Sequence, residues 1–294
     1  MQKRIYIAGG GGMLGEAFYH CFREEFEVRV TDIDLNEPWI QYLDFRDYDA
    51  YLKDVQVFKP DYLFHLGAYT DLEYCEANPQ DTYNTNTLAV ENAVHISNLL
   101  NIPILYISTA GIFDGNKSVY DDWDTPNPTG HYARSKYMGE RFIVENKQHY
   151  FVCRAGWMMG GGPKKDKKFI GKLLKQIHQG KQVLDIVDDK FGTPTYTYDF
   201  AHTVKKLLET NLWGVYNVAC EGETSRIDIA QELVRLLNKE NSIRINAVPS
   251  SFFQNEYFAP RPASERMINT KLNLRGLNAM RNWKGCLREY LEKF

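Results

Sequence analysis

The feature that most constrains the fold is a group of glycines placed directly after a short apolar run. The run Arg4–Ala8 is followed by Gly9, Gly12 and Gly15, and apolar side chains then recur at helical intervals through residues 13–22. Glycine permits a tight turn and a close approach of the backbone to other groups, because it has no side chain. A strand that turns into a helix in this way offers backbone N–H groups to a phosphate. The alternative is a flexible glycine-rich turn that binds nothing.

An acidic residue stands at the end of the second predicted strand. Asp32 lies 17 residues after Gly15, and the next cation along the chain is Arg46. A carboxylate at this point accepts hydrogen bonds from the ribose hydroxyls of a dinucleotide and repels the 2′-phosphate of NADP. The pattern therefore predicts a site for NADH or NADPH, with NADH favoured. The alternative is that Asp32 only opens a turn.

Short apolar strands alternate with helical segments through the first half of the chain. The predicted strands lie at 4–8, 26–32, 40–43, 61–66, 102–107 and 150–153, and the predicted helices at 13–22, 50–58, 80–100 and 132–145. This alternation is typical of the α/β class, and right-handed crossovers then give a Rossmann-type doubly wound parallel sheet. Ligands of such a sheet bind at the carboxyl ends of its strands.

The pattern becomes irregular beyond residue 155. Helices are predicted at 169–180, 228–237 and 283–294, a strand at 183–187, and a loop at 160–168. We predict a dinucleotide-binding domain over residues 1–155 with a return segment near 193–220. Residues 156–192 and 221–294 would form a smaller C-terminal substrate-binding lobe.

The composition argues against several other functions. The formal net charge of −3 gives no basic field for nucleic acid, and no apolar run approaches the roughly 18 residues of a membrane-spanning helix. The five cysteines are scattered without a CxxC pair, which favours free thiols in a reducing cytoplasm over disulfides or a zinc site. We therefore expect a cytoplasmic protein without a metal site that binds neither nucleic acid nor membrane.

Three residues form a candidate catalytic group. Tyr132 and Lys136 are four positions apart on a predicted helix, so both side chains lie on one face. An ammonium close to the phenol would lower its pKa toward the working range of an acid–base catalyst. Thr109 follows the predicted strand 102–107, where its hydroxyl could hold a substrate carbonyl oxygen beside Tyr132. A Tyr–Lys pair at this spacing can also simply stabilise an exposed helix face, but here it follows a dinucleotide motif.

These motifs resemble the extended short-chain dehydrogenase/reductase superfamily and, within it, the dTDP-4-dehydrorhamnose reductases. The resemblance covers nearly the whole chain. It includes the stretches Gly67–Thr70, Phe113–Gly115, Arg154–Trp157, Phe191–Thr195, and Arg261-Pro262 with Ser264. The later stretches are the specific ones, because most short-chain reductases lack them.

The resemblance implies roles for individual residues. The residues that would contact the dinucleotide are Gly9, Gly12, Met13, Leu14, Asp32, Asp44, Phe45, Ala68, Tyr69 and Thr70, together with Tyr132 and Lys136. The catalytic group would be Thr109, Tyr132 and Lys136, and the substrate would contact Thr109, Ala110, Trp157 and Arg261. Two alternatives stay open: Trp157 as a core aromatic residue, and Arg261 as an ordinary surface charge rather than a ligand of the diphosphate.

The sequence departs from the family pattern near the expected substrate carbonyl. Ala110 and Gly111 stand where the family usually has Asp and Tyr, while Lys168 and Lys190 replace a usual Asn and Gln. The identity of the sugar is therefore open. The basic run at 164–168 is interpreted as a solvated loop, with a phosphate clamp as the alternative.

The predicted activity is NAD(P)H-dependent reduction of the C4 ketone of a nucleotide-linked deoxy sugar. By the resemblance, the substrate would be dTDP-4-dehydrorhamnose and the product dTDP-rhamnose. One alternative is a sugar-nucleotide epimerase or dehydratase on the same scaffold. Another is a non-catalytic NAD(P)-binding regulatory subunit, like that of methionine adenosyltransferase, which resembles this family. The sequence leaves a homodimer open.

Overall fold

The centre of the molecule is a seven-stranded sheet, seen in a computed structural model that describes residues 2–294. The strands of the chain are β1 (Arg4–Ala8), β2 (Glu27–Asp32), β3 (Ile40–Tyr42), β4 (Tyr62–His65), β5 (Ile104–Thr109), β6 (Tyr150–Ala155), β7 (Trp157–Met159), β8 (Val183–Val187), β9 (Phe191–Gly192), β10 (Pro194–Tyr196), β11 (Gly214–Asn217), β12 (Thr224–Ser225), β13 (Arg244–Val248) and β14 (Ser264–Glu265). The central sheet has the order β11-β6-β5-β4-β1-β2-β3. All its strand pairs are parallel.

Helices connect these strands and cover the sheet. They are α1 (Met13–Phe22), α2 (Tyr48–Phe58), α3 (Leu72–Ala77), α4 (Pro79–Tyr83), α5 (Ala89–Leu99), α6 (His131–Asn146), α7 (Gly162–Lys165), α8 (Phe169–His178), α9 (Thr197–Leu208), α10 (Arg226–Leu236), α11 (Thr270–Leu274) and α12 (Trp283–Leu291). A π-helical turn spans Asn84–Leu88, and 3₁₀ turns span Ala110–Ile112 and Ser250–Phe253. Within residues 2–294, no helix has both the length and the apolar character needed to cross a bilayer.

Strand β1 shows why the sheet is covered on both faces. Ile5 and Ile7 pack into one hydrophobic cluster, whereas Tyr6 and Ala8 pack into a second cluster. Successive side chains of a strand point to opposite faces, so a strand buried on both sides must be continuously apolar. The sheet order reverses at β1, which has β2 on one side and β4 on the other. This is the switch point at which ligands bind in doubly wound sheets, and the predicted fold class is confirmed.

The segment 193–220 returns to the central sheet. Helix α9 packs against α1, and β11 pairs with β6 as the seventh strand. The rest of the C-terminal part forms short strand pairs, of β8 with β13 and of β9 with β12 and β14. One hydrophobic cluster runs from β1 into this part, including Leu184, Leu233 and Trp283. The two predicted domains thus share a core. The division of the chain at residue 155 stays a prediction.

Several predicted elements differ from the structure in their details. The helix predicted at 80–100 is interrupted by the π-helical turn at Asn84–Leu88, and the predicted loop at 160–168 contains α7. Helices α3, α9 and α11 were not predicted from the sequence. Helices α3 and α11 are only six and five residues long, which is too short for a helical repeat of apolar residues to become visible.

Candidate active site

Two glycines of the turn after β1 are required by close packing. Gly9 has a φ of +81°, and a Cβ atom there would lie 2.2 Å from the Cα of Gly67, which follows β4. A Cβ atom on Gly15 would lie 1.9 Å from the carbonyl oxygen of Gly10. The backbone N–H groups of Gly9 and Gly10 both donate to the Thr31 carbonyl oxygen. The turn is therefore wedged between β2, the loop after β4 and its own helix, rather than being flexible.

Gly12 is different, because no atom beyond Gly12 itself and its two neighbours in the chain lies within 4 Å of the position that its Cβ would take. It is the N-cap residue of α1, and no side chain caps the helix there. The first N–H groups of α1 and the positive end of its dipole thus face open space at the switch point of the sheet. Met13 and Leu14 open the helix beside this space, and their contact with the phosphates of a dinucleotide stays a prediction.

Asp32 organises the turn through its two carboxylate oxygens. Oδ2 accepts a hydrogen bond from the Gly11 N–H at 2.8 Å, and Oδ1 accepts one from the Asp34 N–H at 2.9 Å. The Asn36 side-chain amide donates to the Gly11 carbonyl oxygen at 2.8 Å. The carboxylate therefore lies at the edge of the glycine turn, and its contact with a ribose stays a prediction.

The loop after β3 places Asp44 and Phe45 near the same edge. Arg46 donates to both carboxylate oxygens of Asp44, at 2.6 Å for the closest pair, and this guanidinium lowers the pKa of Asp44. The Phe45 ring fills the space in front of Gly67, where a Cβ atom would lie 2.2 Å from ring atom Cε1. Arg46, the first cation after Asp32, is thus already paired with a neighbouring acid.

The loop Ala68–Thr70 is held by a residue that the sequence analysis missed. The Asn86 side chain accepts a hydrogen bond from the Tyr69 N–H at 2.8 Å and donates to the Tyr69 carbonyl oxygen at 3.0 Å. It also donates to the Ser135 hydroxyl on α6. Asn86 lies in the π-helical turn that interrupts the predicted helix. Such turns often occur at functional sites, but no sequence pattern identified this one.

Thr109 and Tyr132 meet beside Gly111. Thr109 is the last residue of β5, and Tyr132 lies in the first turn of α6. A Cβ atom on Gly111 would lie 3.5 Å from Thr109 Oγ1 and 3.8 Å from Tyr132 Cε1. Burial raises the pKa of Tyr132 to about 12, while a hydrogen bond with Thr109 acts in the opposite direction. The two predicted catalytic groups are therefore brought together at the carboxyl end of the sheet.

Lys136 is buried one helical turn further along α6. Its ammonium lies 4.1 Å from the centre of the Tyr106 ring, and burial lowers its pKa to about 7. Within residues 2–294, no hydrogen-bond acceptor contacts its Nζ atom. The groups that shift the pKa of Tyr132 do not include Lys136. The prediction that Lys136 lowers this pKa is therefore wrong for this structure, because the ammonium lies over Tyr106 and burial of the phenol dominates.

Trp157, at the start of β7, is linked to this group through Glu265, which also lies beside Gly111. Its indole N–H donates to Oε2 of Glu265, and the Arg226 guanidinium lies 3.6 Å from the indole centre. Arg226 is also 4.7 Å from the Phe169 ring, and burial lowers its pKa to about 10. Trp157 is only partly buried and packs at the edge of the core. Neither Glu265 nor Arg226 was predicted, and their spacing from Trp157 carries no sequence signal.

Arg261 forms an ion pair with helix α3. Its guanidinium lies 2.7 Å from Oε1 of Glu73 in α3 and donates to Oε2 at 2.9 Å. It also lies 5.3 Å from the Tyr257 ring. Lys190 donates to the Arg261 carbonyl oxygen. Arg261 is thus partly buried and paired rather than isolated on the surface, and its contact with a diphosphate stays a prediction.

The basic run at 164–168 is not simply a solvated loop. Lys164 is exposed, but the Lys165 side chain is buried against Trp39, at 5.3 Å from the ring centre, and lies 3.3 Å from Glu37. Asp166 is buried and accepts a hydrogen bond from Tyr290. The solvated-loop interpretation is therefore wrong for these two residues. Lys168 is also engaged, since its ammonium donates to the Thr70 carbonyl oxygen at 2.7 Å.

No group of three or more His, Cys, Asp or Glu residues is placed to hold a metal ion anywhere between residues 2 and 294. All five cysteines carry free thiols. The candidate site consists of three parts. They are the glycine turn at Gly12, the group of Thr109, Tyr132 and Lys136, and Trp157 with its neighbours Glu265 and Arg226.

Known proteins resemble this chain over its whole length. The profile of the family described as the RmlD substrate binding domain matches residues 3–294. The dTDP-4-dehydrorhamnose reductase of Aggregatibacter actinomycetemcomitans is 27% identical over 282 residues, which cover 92% of each chain. The structure of dTDP-4-dehydrorhamnose reductase from Yersinia enterocolitica is 31% identical, with a TM-score of 0.88 and 99% of each chain covered.

A third similar protein was crystallised with a nicotinamide dinucleotide. The dTDP-4-dehydrorhamnose reductase of Bacillus anthracis, solved in complex with NADP, is 27% identical to this chain, with a TM-score of 0.91 and all of both chains covered. The family match, the extent of these alignments and the shared fold agree with one another. The chain belongs to the RmlD substrate-binding-domain family, which confirms the predicted membership of the dTDP-4-dehydrorhamnose reductase family of short-chain reductases.

Proposed function

We propose that the protein reduces the C4 ketone of a nucleotide-linked deoxy sugar at the expense of NADH or NADPH. The proposed substrate is dTDP-4-dehydrorhamnose and the product is dTDP-rhamnose, as the names of the relatives suggest. The observation that carries the proposal is the convergence of Thr109 and Tyr132 beside Gly111, with Lys136 on the next turn of α6. This group lies at the same edge of the sheet as the open turn at Gly12.

Residues along this edge would hold the cofactor. The N–H groups at the start of α1 would bind its phosphates, Asp32 its adenosine ribose, and the unpaired ammonium of Lys136 its nicotinamide ribose. The bound nicotinamide supplies the hydride. Asp32 favours NADH, whereas the relative from Bacillus anthracis was crystallised with NADP. The proposal therefore includes both cofactors.

The chain's own residues would move and hold the proton. The high pKa of Tyr132 keeps its phenol protonated at neutral pH, so it can donate its proton to the oxygen of the ketone as negative charge develops there. The Thr109 oxygen accepts a hydrogen bond from the Gly111 N–H at 3.1 Å. Its hydroxyl hydrogen, which acts on Tyr132 in this structure, could turn to the same substrate oxygen once a ketone is bound. Lys136, with a pKa of about 7, can exchange protons near neutral pH.

A cofactor-oxidation screen tests the proposal. The purified protein is mixed with NADH or NADPH and a set of nucleotide-linked 4-keto sugars, and loss of the reduced cofactor is followed. We expect turnover with dTDP-4-dehydrorhamnose. Tyr132→Phe should lower turnover by ~100-fold or more, because it removes the proton donor, while cofactor affinity measured by calorimetry stays nearly intact. Near-wild-type turnover in Tyr132→Phe contradicts the assignment.

The same preparation distinguishes the alternative functions. An epimerase or dehydratase recycles its cofactor, so the protein would be purified with tightly bound nicotinamide. A regulatory subunit would bind the cofactor, oxidise none with any sugar, and co-purify with a partner enzyme.

We place the reaction in the cytoplasm, because free thiols persist in reducing compartments. Light scattering of the same sample would show whether the protein is a homodimer.

A further inference from the structure

A carboxylate that has no part in the proposed proton transfer lies beside the catalytic group. Glu265 is the last residue of β14, and that strand is held by pairing with Phe191–Gly192. A Cβ atom on Gly111 would lie 3.3 Å from Glu265 Oε1, closer than it would lie to either Thr109 or Tyr132. The carboxylate, the hydroxyl and the phenol therefore meet around one glycine.

The two oxygens of Glu265 have different surroundings. Oε2 accepts a hydrogen bond from the Trp157 indole N–H. The Arg226 guanidinium stacks on the indole and helps to hold it in this position. Across residues 2–294, no donor contacts Oε1. The carboxylate is thus fixed in direction through one oxygen, and the other points toward the place where Thr109 and Tyr132 would hold a ketone.

Gly111 is what makes room for this arrangement. The family resemblance gives Tyr at this position, but here the position has no side chain. Even one methyl group would already press on Glu265 Oε1 at 3.3 Å. The group next to the catalytic threonine is therefore a carboxylate from the C-terminal lobe, which has no hydrogen to donate when ionised.

We propose that Glu265 determines substrate specificity: its free oxygen accepts a hydrogen bond from an O–H or N–H group on the ring carbon next to the ketone. The preferred substrates are then nucleotide-linked keto sugars that carry such a donor, and this inference rests on the proposed function. An analogue that lacks the donor leaves the carboxylate partly desolvated and unpaired. Sites built in this way reject such analogues strongly.

The charge of Glu265 also acts on Tyr132. Burial is the main reason why the pKa of Tyr132 is raised, the Thr109 hydroxyl lowers this pKa, and Cys75 and Glu265 raise it further, while Lys136 is directed at Tyr106 instead. Reduction needs the protonated phenol, so activity is lost as the pH rises through the pKa of Tyr132. Removing the negative charge by Glu265→Gln should shift this loss of kcat/KM to lower pH. A purely structural role for Glu265 would not move the profile in this direction.

A binding experiment tests the specificity without requiring turnover. Two stable dTDP-linked 6-deoxyhexoses, with and without the C3 hydroxyl, are titrated into the protein saturated with oxidised cofactor. We expect the wild type to bind the hydroxylated sugar at least ~100-fold more tightly. In Glu265→Gln the amide oxygen must accept from Trp157, which leaves its NH₂ group facing the sugar. The preference should then fall to less than ~5-fold.

Two further variants keep the result interpretable. Glu223→Gln removes an equal charge from a highly exposed side chain of the same lobe and should keep the wild-type preference. Gly111→Ala should displace the carboxylate and weaken the preference even if Glu265→Gln folds poorly. Equal binding of both sugars by the wild type, or an unchanged preference in Glu265→Gln or Gly111→Ala, overturns the inference.

The inference and the proposed function fail separately. A clear binding preference without cofactor oxidation by any keto sugar supports the role of Glu265 and contradicts the reductase. Reduction of the corresponding 4-keto sugars, with and without the C3 hydroxyl, at equal kcat/KM supports the reductase and contradicts the role of Glu265. Binding of neither sugar contradicts both.

Discussion

The two parts of the candidate site are built in opposite ways. At the turn after β1, backbone atoms make the decisive contacts. A Cβ atom added to Gly9 or to Gly15 would lie only 2.2 Å or 1.9 Å, respectively, from another backbone atom. Around Trp157, one charged side chain on a two-residue strand and one at the start of a helix make the contacts. Backbone packing tolerates little change without loss of the fold. Side-chain contacts can change individually, so we expect specificity to reside on that side.

The largest effect should come from Gly15→Ala, which tests the backbone side of this comparison. The new methyl group would overlap the Gly10 carbonyl oxygen, which cannot move without breaking the turn. We expect the free energy of unfolding to fall by about 3 kcal/mol, measured by urea denaturation. A variant as stable as the wild type would mean that the turn is not tightly packed.

Gly12→Ala sharpens the comparison, because it lies in the same turn but faces open space. We expect a loss of stability in urea of less than about 1 kcal/mol, since alanine is a poorer N-cap than glycine. The Kd for NADH or NADPH should rise ~10-fold, since the methyl group would occupy the space of the phosphates. The Kd is measured by calorimetry. Unchanged affinity would place the phosphates elsewhere.

The smallest effect should come from Arg226→Gln, which tests the side-chain contacts around Trp157. Loss of the guanidinium over the indole removes a contact worth about 1 kcal/mol, so Trp157 becomes less ordered. We expect KM for the keto sugar to rise ~5-fold, with kcat and cofactor affinity unchanged.

Arg235→Gln is the matched control for Arg226→Gln, because it removes a charge from the same helix at a largely exposed position. It should behave as the wild type. If both variants raised KM equally, the effect would come from net charge, and the contact between Arg226 and the indole would not contribute to KM.

The same contrast explains what could be predicted from the sequence. The glycine turn and the Tyr132–Lys136 spacing are local patterns, and the structure places them at the edge of the sheet as predicted. Trp157 and Glu265 are 108 positions apart in the sequence, and β14 has only two residues. Such a contact leaves no periodicity to detect. Lys136 shows a second limit, because its position over Tyr106 depends on packing that residue spacing does not specify.

The most direct test of the account uses NADH and NADPH labelled with deuterium at C4 of the nicotinamide. Each is incubated with the protein and dTDP-4-dehydrorhamnose, and the sugar product is analysed by mass spectrometry and NMR. The account predicts deuterium at C4 of the reduced sugar, transferred in wild-type protein and nearly absent with Tyr132→Phe. Product without deuterium, or no product although both ligands bind, would contradict hydride transfer in this cleft.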